Sequence, residues 1–251
     1  MKILVLVKET ITTDAVMHIN KDGKVASLDE TYIINPFDEF AIEEAIRIKE
    51  RFGGEVVLIS AGRREASYIL RSGLAMGCDR GILMVTSEKE THSICDILKE
   101  AILREQNFDL ILAGWVSSDY NNAQVTGRLS EALNIPLVTL VTNLEIKLDQ
   151  NTVISEREGD LFLESVETKL PSIIAVQKGI NQPRFPKLID IVEVKHKKID
   201  TITSAHKTKF HVSTPTYSLP PKKKQQIIVD GSDPEKAVHR LIKELKGAKL
   251  L

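Results

Sequence analysis

The chain has 251 residues, 42% hydrophobic and 27% charged, enough for one large α/β domain or a domain with an appendage. Thirty-four Lys and Arg against 35 Asp and Glu give a formal charge of -1, which argues against nucleic acid as the main partner, and aromatics at 5% argue against a base-stacking surface. Two cysteines, Cys78 and Cys95, are too few for a disulfide framework or a zinc site and read as buried free thiols in a reducing compartment.

Met1 leads straight into an apolar strand, Ile3 to Val7. No cleavable leader and no run near the ~20 apolar residues of a membrane span stand out, so the expectation is a cytoplasmic chain. Residues 9 to 34 read as irregular, with a turn at Asp22-Gly23. Asn35-Pro36 starts a helix, Asn as N-cap and Pro at the first position, and Gly53-Gly54 ends it. Its stripe is Ala41, Ile42, Ala45, Ile46 and Ile48; the acidic pairs Asp38-Glu39 and Glu43-Glu44 read as solvating charge, with Glu43 in reach of Arg47. Strands Val56 to Ser60, Gly81 to Val85 and Asp109 to Ala113 alternate with helices ending at Gly77 and Arg104. Four repeats of strand then helix predict an α/β, doubly wound, mostly parallel sheet.

The stretch from Leu110 to Leu133 organises the chain. An apolar run closes at Gly114, a polar loop Ser117-Ser118-Asp119-Tyr120-Asn121-Asn122 follows, and a helical period begins with Val125, Leu129, Ala132 and Leu133. A helix start of this kind offers unpaired N–H groups to an anion, and Gln124 and Thr126 add side-chain donors. An ordinary strand-to-helix loop with Asn and Ser as caps remains the other reading. In a doubly wound sheet the crevice opens where strand order reverses, which gathers Leu6, Val7, Asn35, Ala61, Gly62, Asp119, Asn122, Ala123, Gln124, Val125 and Thr126 around one cleft.

The rhythm changes after Pro136. Leu137 to Val141 is a strand; Thr152 to Glu158 and Leu161 to Thr168 form a hairpin at Gly159-Asp160; Ser172 to Val176 is a short buried strand. Prolines 183 and 186 bracket an exposed loop. From Val192 the chain loses core character, and residues 203 to 225, rich in Lys, Thr, Ser and Pro, read as an arm with Pro220-Pro221 ahead of three lysines. Ser232 and Glu235 fit a capping box for a last helix with the stripe Ala237, Val238, Leu241, Ile242 and Leu245, which either docks on a partner or packs back on the sheet. The expected division is an α/β nucleotide-binding domain over 1–191 and a C-terminal arm and helix over 192–251.

Catalytic constellations do not emerge. No Walker loop, Gly-x-Gly-x-x-Gly, His-Glu-x-x-His or Gly-x-Ser-x-Gly is present, and the six histidines are scattered. A nucleotide-type fold with no nucleophile, base or metal cluster suggests a carrier or regulator rather than an enzyme.

Several pieces then match a family together. They are Asn35-Pro36-Phe37-Asp38-Glu39 with its helix; Leu74-Ala75-Met76-Gly77-Cys78-Asp79-Arg80; the loop from Gly114 to Gly127; Glu156-Arg157-Glu158 with Asp160, Glu164, Val166 and Lys169-Leu170-Pro171; and Ile180-Asn181-Gln182-Pro183-Arg184-Phe185. Over essentially its whole length the chain resembles the β subunit of an electron transfer flavoprotein. It departs at Leu161 and Phe162, where small or acidic residues are usual, and at Ser117, Ser118 and Tyr120 in the central loop. The resemblance implies a Rossmann-like, adenine-nucleotide α-hydrolase-like fold with an added hairpin and a C-terminal arm. It implies a heterodimer whose α subunit holds the redox FAD, covered here by Phe37 and the segment around Thr13. It implies AMP as a structural ligand in this subunit, or a second FAD in bifurcating relatives. It also implies electron transfer from dehydrogenases, such as acyl-CoA or amine dehydrogenases, to a quinone oxidoreductase or other acceptor. The dehydrogenase would dock at the loop Pro183 to Ile191 through Leu188 and Ile189, and Val238, Leu241, Ile242 and Leu245 would dock on the α subunit. The competing classes are a universal-stress-type nucleotide-binding regulator, which gives no reason for the hairpin and tail helix, and an ATP pyrophosphatase, whose phosphate loop is not matched by Lys8-Glu9-Thr10-Ile11-Thr12.

Overall fold

In a computed structural model, residues 1–27, 31–205, 216–219 and 227–251 are described. The parallel core follows the apolar runs: β1 (Lys2–Leu6), β6 (Glu55–Gly62), β7 (Arg80–Val85), β8 (Leu110–Gly114), β9 (Leu137–Lys147) and β12 (Ser172–Val176). Between β1 and β6, the stretch expected to be irregular carries four three-residue strands. The first and last of these, β2 (Glu9–Ile11) and β5 (Tyr32–Ile34), pair antiparallel; β3 (Met17–Ile19) and β4 (Val25–Ser27) form a second ribbon around the Asp22-Gly23 turn. The hairpin is β10 (Thr152–Glu158) and β11 (Leu163–Lys169), and β13 (Ile199–Thr203) is the last strand. Leu161 and Phe162 lie in the hairpin turn rather than in β11, where Gly159 N donates to Phe162 O at 2.9 Å, and both are exposed.

Among the described residues nine strands form one sheet in the order β11-β10-β9-β12-β8-β1-β6-β7-β13. Every pairing from β9 to β13 is parallel, and β10 runs antiparallel to both β9 and β11. Alternation along the strands sorts side chains into two cores. Ile3, Val5, Val56, Leu58, Leu110 and Leu112 pack with helices α1 (Pro36–Phe52) and α2 (Ser67–Met76). Leu4, Leu6, Val57, Ile59, Ile111 and Ala113 face α3 (Thr91–Arg104) and α4 (Gln124–Leu133) on the other side. The sheet is therefore doubly wound, and strand order reverses between β1 and β8. Cys78 and Cys95 are buried and unpaired, and burial pushes their thiols up to about 12 and about 11.

Three local readings need correction. Val192 does not mark the loss of core character: Val194 is buried and β13 pairs with β7 along its whole length, because Ile199 and Ile202 extend the two cores past position 191. Leu188 and Ile189 stand on a short helix of six residues, α5 (Leu188–Glu193), rather than in a loop; fewer than two turns are too short to show a period. The N-cap of α6 (Pro234–Gly247) is Asp233, whose side chain accepts from Lys236 N, while Ser232 Oγ donates to Asp230. Most of the arm over 203–225, including Pro220-Pro221 and the three lysines after them, lies outside the described residues.

By contact density the chain forms two units, Met1–Met17 with Ser27–Thr214, and His18–Ala26 with Pro215–Leu251. The first holds the nine-stranded sheet. In the second, Tyr217 N donates to Gly23 O at 2.9 Å, and Val238, Leu241 and Ile242 on α6 are exposed. Among the described residues no helix is long and apolar enough to cross a membrane.

Candidate functional site

At the carboxyl ends of β1, β6 and β8, where strand order reverses, lies a cavity of about 510 Å³. Crevices of this size at this place in α/β sheets are ligand sites. Leu6, Val7, Asn35, Ala61, Gly62, Asp119, Asn122, Ala123, Gln124, Val125 and Thr126 all line it. Phe37 does not. It is half-buried and sets its ring edge-on to Trp115, with centroids 5.8 Å apart and planes at 81°.

One buried knot holds the cavity's floor. Asn35 sits at the N-cap position of α1, but its side chain does not cap the helix. Its Nδ2 donates to Asp38 Oδ1 and to Val116 O, both at 2.9 Å, and its Oδ1 accepts from Ser118 N at 3.1 Å. Asp38 Oδ2 accepts from Lys8 N at 2.8 Å and its Oδ1 from Gly114 N at 3.1 Å. Two residues thus join the end of β1, the start of α1, the end of β8 and the loop after it. Asp38 is 5% exposed, so its reading as solvating charge was mistaken; it faces inward because β1 and β8 both end against the first turn of α1. Burial pushes its carboxyl up to about 7, against three N–H donors and the Lys8 cation, which pull it down. The Asn-Pro-x-Asp spacing next to a strand end was the available signal.

The loop over the cavity is tied down by Lys8. Its Nζ donates to both Asp119 oxygens at 2.6 Å and to Ser117 Oγ at 3.3 Å, and lies 4.2 Å from the Tyr120 ring centre. Burial lowers the ammonium and Asp119 opposes the shift. At the rim Arg63 pairs with Glu9 through Nε at 2.7 Å and stacks 3.8 Å over Tyr32. Sequence reasoning named neither Lys8 nor Arg63 as a site residue, because their partners come from distant loops.

The α4 end of the cavity is polar and open. Ala123 occupies the N-cap with φ 51°, a left-handed conformation that costs a non-glycine residue about 1 kcal/mol, and its methyl cannot cap the first-turn amides. Asn122 Oδ1 accepts from Gln124 N at 3.4 Å in its place, and Asn122 Nδ2 bridges to α3 through Thr91 Oγ1 at 3.4 Å, which leaves Ala123 making no cap of its own. Gln124 Oε1 is taken by Arg128, so that oxygen faces along the helix. Thr126 is buried and Val125 half-buried, whereas Ala132, expected on the buried stripe, is exposed. Thr10 Oγ1 and Trp115 Nε1, both from residues lining the cavity, are buried without a protein partner. The first-turn amides of Val125 and Thr126 next to an apolar wall of Leu6, Ala61, Ala113 and Val125 suit a ligand that is flat and apolar at one end and anionic at the other.

A second surface feature lies on the same unit. Phe185, Leu188, Ile189, Ile191 and Val192 are all exposed, Phe185 at 93% and Leu188 at 79%. Contiguous exposed apolar groups of this kind mark interaction sites.

Comparison with known proteins gives one consistent result. The electron transfer flavoprotein domain matches residues 22–207. Electron transfer flavoprotein subunit beta of Bacillus subtilis (strain 168) is 36% identical over 247 residues, covering 94% of this chain and 95% of its own. The protein of the same name from Syntrophomonas wolfei is 35% identical over 98% of this chain and 96% of its own. The mitochondrial subunit beta of Arabidopsis thaliana is 33% identical over 93% and 95%.

Proposed function

Since the chain belongs to the electron transfer flavoprotein family, among its β subunits, we propose that it is the nucleotide-carrying half of a heterodimeric electron carrier. Its partner holds the redox FAD, which supplies the electron acceptor, and the dimer passes electrons from a dehydrogenase to a quinone oxidoreductase or another acceptor. This chain's own residues bind, cover and dock. The observation that carries the reading is the cavity at the reversal of strand order, with the first turn of α4 on its wall.

The cavity fits an adenine nucleotide. Leu6, Ala61 and Val125 give apolar surface for the base, and Val7 N is already donated to Ile59 O, which fixes that edge of β1. The amides of Val125 and Thr126 would take phosphate, joined by that of Gln124 once it leaves Asn122 Oδ1. AMP as a structural ligand is the first reading. A second FAD is the alternative, and the cavity's open rim at Arg63 and Tyr32 favours testing it. Phe37, the exposed stripe of α6 and the Leu188 patch are assigned to the covered flavin, the α subunit and the dehydrogenase respectively.

Denaturing the complex purified with its co-expressed partner should release one FAD and one AMP per dimer. Two FAD per dimer would favour the bifurcating alternative. No nucleotide beyond the partner's flavin would overturn the site.

A further inference from the structure

The apolar patch over Phe185 to Val192 is carried by a segment fastened at both ends, and the fastenings use side chains with no other evident task. On its N-terminal side Asn181 Nδ2 donates to Phe40 O at 3.0 Å and to Glu44 at 2.9 Å. Arg184 then closes on α1: its backbone N and its Nε reach Glu43 Oε2 at 3.1 and 2.8 Å, its second guanidinium nitrogen reaches Glu43 Oε1 at 3.1 Å, and Glu50 takes two more bonds at 2.5 and 3.1 Å. Glu43, read from sequence as solvating charge, is 2% exposed and also accepts from Arg47 at 2.8 Å. On the C-terminal side Arg71 donates to Val194 O and Lys197 O, both at 2.7 Å, and Lys197 Nζ donates to Leu74 O at 2.9 Å and Cys78 O at 2.7 Å, closing on α2. Between the two fastenings the five apolar side chains project into solvent.

We propose that Arg184 is a positioning residue for partner docking: with the Arg71–Lys197 fastening opposite, it holds α5 ready so that Leu188 and its neighbours meet an apolar pocket on the electron-donating enzyme without first having to be ordered. This rests on the docking reading above. A carrier that meets its donor in short encounters gains most when the contact segment is already in its bound shape, because ordering a free segment at the moment of contact weakens association. The bidentate fit of guanidinium to carboxylate fixes orientation as well as distance, which a lysine at 184 would not do.

The test uses the full chain co-expressed with its flavin-bearing partner. Trypsin cleavage after Lys187 and amide exchange at Ile191, whose N–H donates to Lys187 O at 3.1 Å, report the order of the segment. Arg184→Gln should speed both about tenfold, and Arg184→Lys less, with exchange in α1 and flavin content unchanged. Against an acyl-CoA dehydrogenase charged with butyryl-CoA, Arg184→Gln should raise KM for the carrier about tenfold at constant kcat, and add nothing on a Leu188→Ala background. Unchanged cleavage and exchange would overturn the proposal, as would full additivity with Leu188→Ala. A Leu188→Ala chain with unaltered KM would instead remove the docking reading itself, while an effect of Leu188→Ala without one of Arg184→Gln removes only Arg184.

Discussion

Gly114→Ala is expected to destabilise the chain by about 2 to 4 kcal/mol and to strip nucleotide from the cavity, as read by denaturant unfolding and by adenine content per chain. A Cβ at this position would lie 2.5 Å from Asp38 Oδ1, 2.6 Å from Phe37 Cβ and 2.7 Å from the Phe37 backbone carbon. None of these is the loose end of a long side chain. The first turn of α1 would have to move off the end of β8, and the bond from Gly114 N to Asp38 would go with it. The control for stability is Gly127→Ala, inside α4 with no atom within 4 Å of the added methyl, which should be neutral or stabilising by up to about 1 kcal/mol. Equal unfolding midpoints for the two variants would show that the β8–α1 contact tolerates a methyl after all.

Asp38→Asn should cost about 1 to 3 kcal/mol near pH 5, and the cost should shrink as pH rises to 7. An amide at 38 can still offer one oxygen to Asn35 and Gly114, but its NH₂ then faces Lys8 N, donor against donor. The pH trend follows from burial. The native carboxyl is raised to about 7 from an ordinary value of 3.8, so between those limits the folded chain holds a proton that the unfolded chain has released. Stability from this group is whole below pH 4 and is lost as pH climbs to 7, by up to about 4 kcal/mol. Asparagine does not titrate and loses nothing over that window. Against its burial, Glu43 is lowered by Arg184 and Arg47, so its contribution falls away on the acid side; burial raises Glu39 and Glu44 in both proteins alike, so the difference between the two curves is what isolates Asp38. Parallel stability curves for the two proteins from pH 4.5 to 7 would mean that Asp38 is ionised throughout.

The parallel core was legible in the sequence because buried parallel strands are written as unbroken apolar runs between glycines and polar turns. Leu110 to Gly114 and Ser172 to Val176 are found where those runs stand. The cleft was legible for the same reason: once strand order reverses beside β1, the loops that meet there are fixed by topology. What escaped was written in pairs too distant for any local window. Asp38 and Glu43 look like helix surface until β1, β8 and the Arg184 segment arrive to cover them. Asn35 looks like a cap, and stands where a cap stands, yet its side chain serves Val116 and Ser118. The strands β2 to β5 have three residues each and no period to betray them, and β13 is a mixed run, Ile199-Asp200-Thr201-Ile202-Thr203, whose place is decided by the free edge of β7.

The sheet order also sets a sequence of events during synthesis. β1 leaves the ribosome first yet lies between β6 and β8, and Ile3 finds its second neighbour only when Leu110 has been made. β9 has no bond to β8; the two are bridged by β12, which enters between them. Until Val176 emerges, therefore, the β9–β10–β11 meander is joined to the growing sheet by chain connectivity and α4, not by a shared ladder. The five residues of β12, all buried, act as a keystone set late between two halves, in a topology whose long-range pairings make for slow closure and a long exposure of open strand edges to other chains.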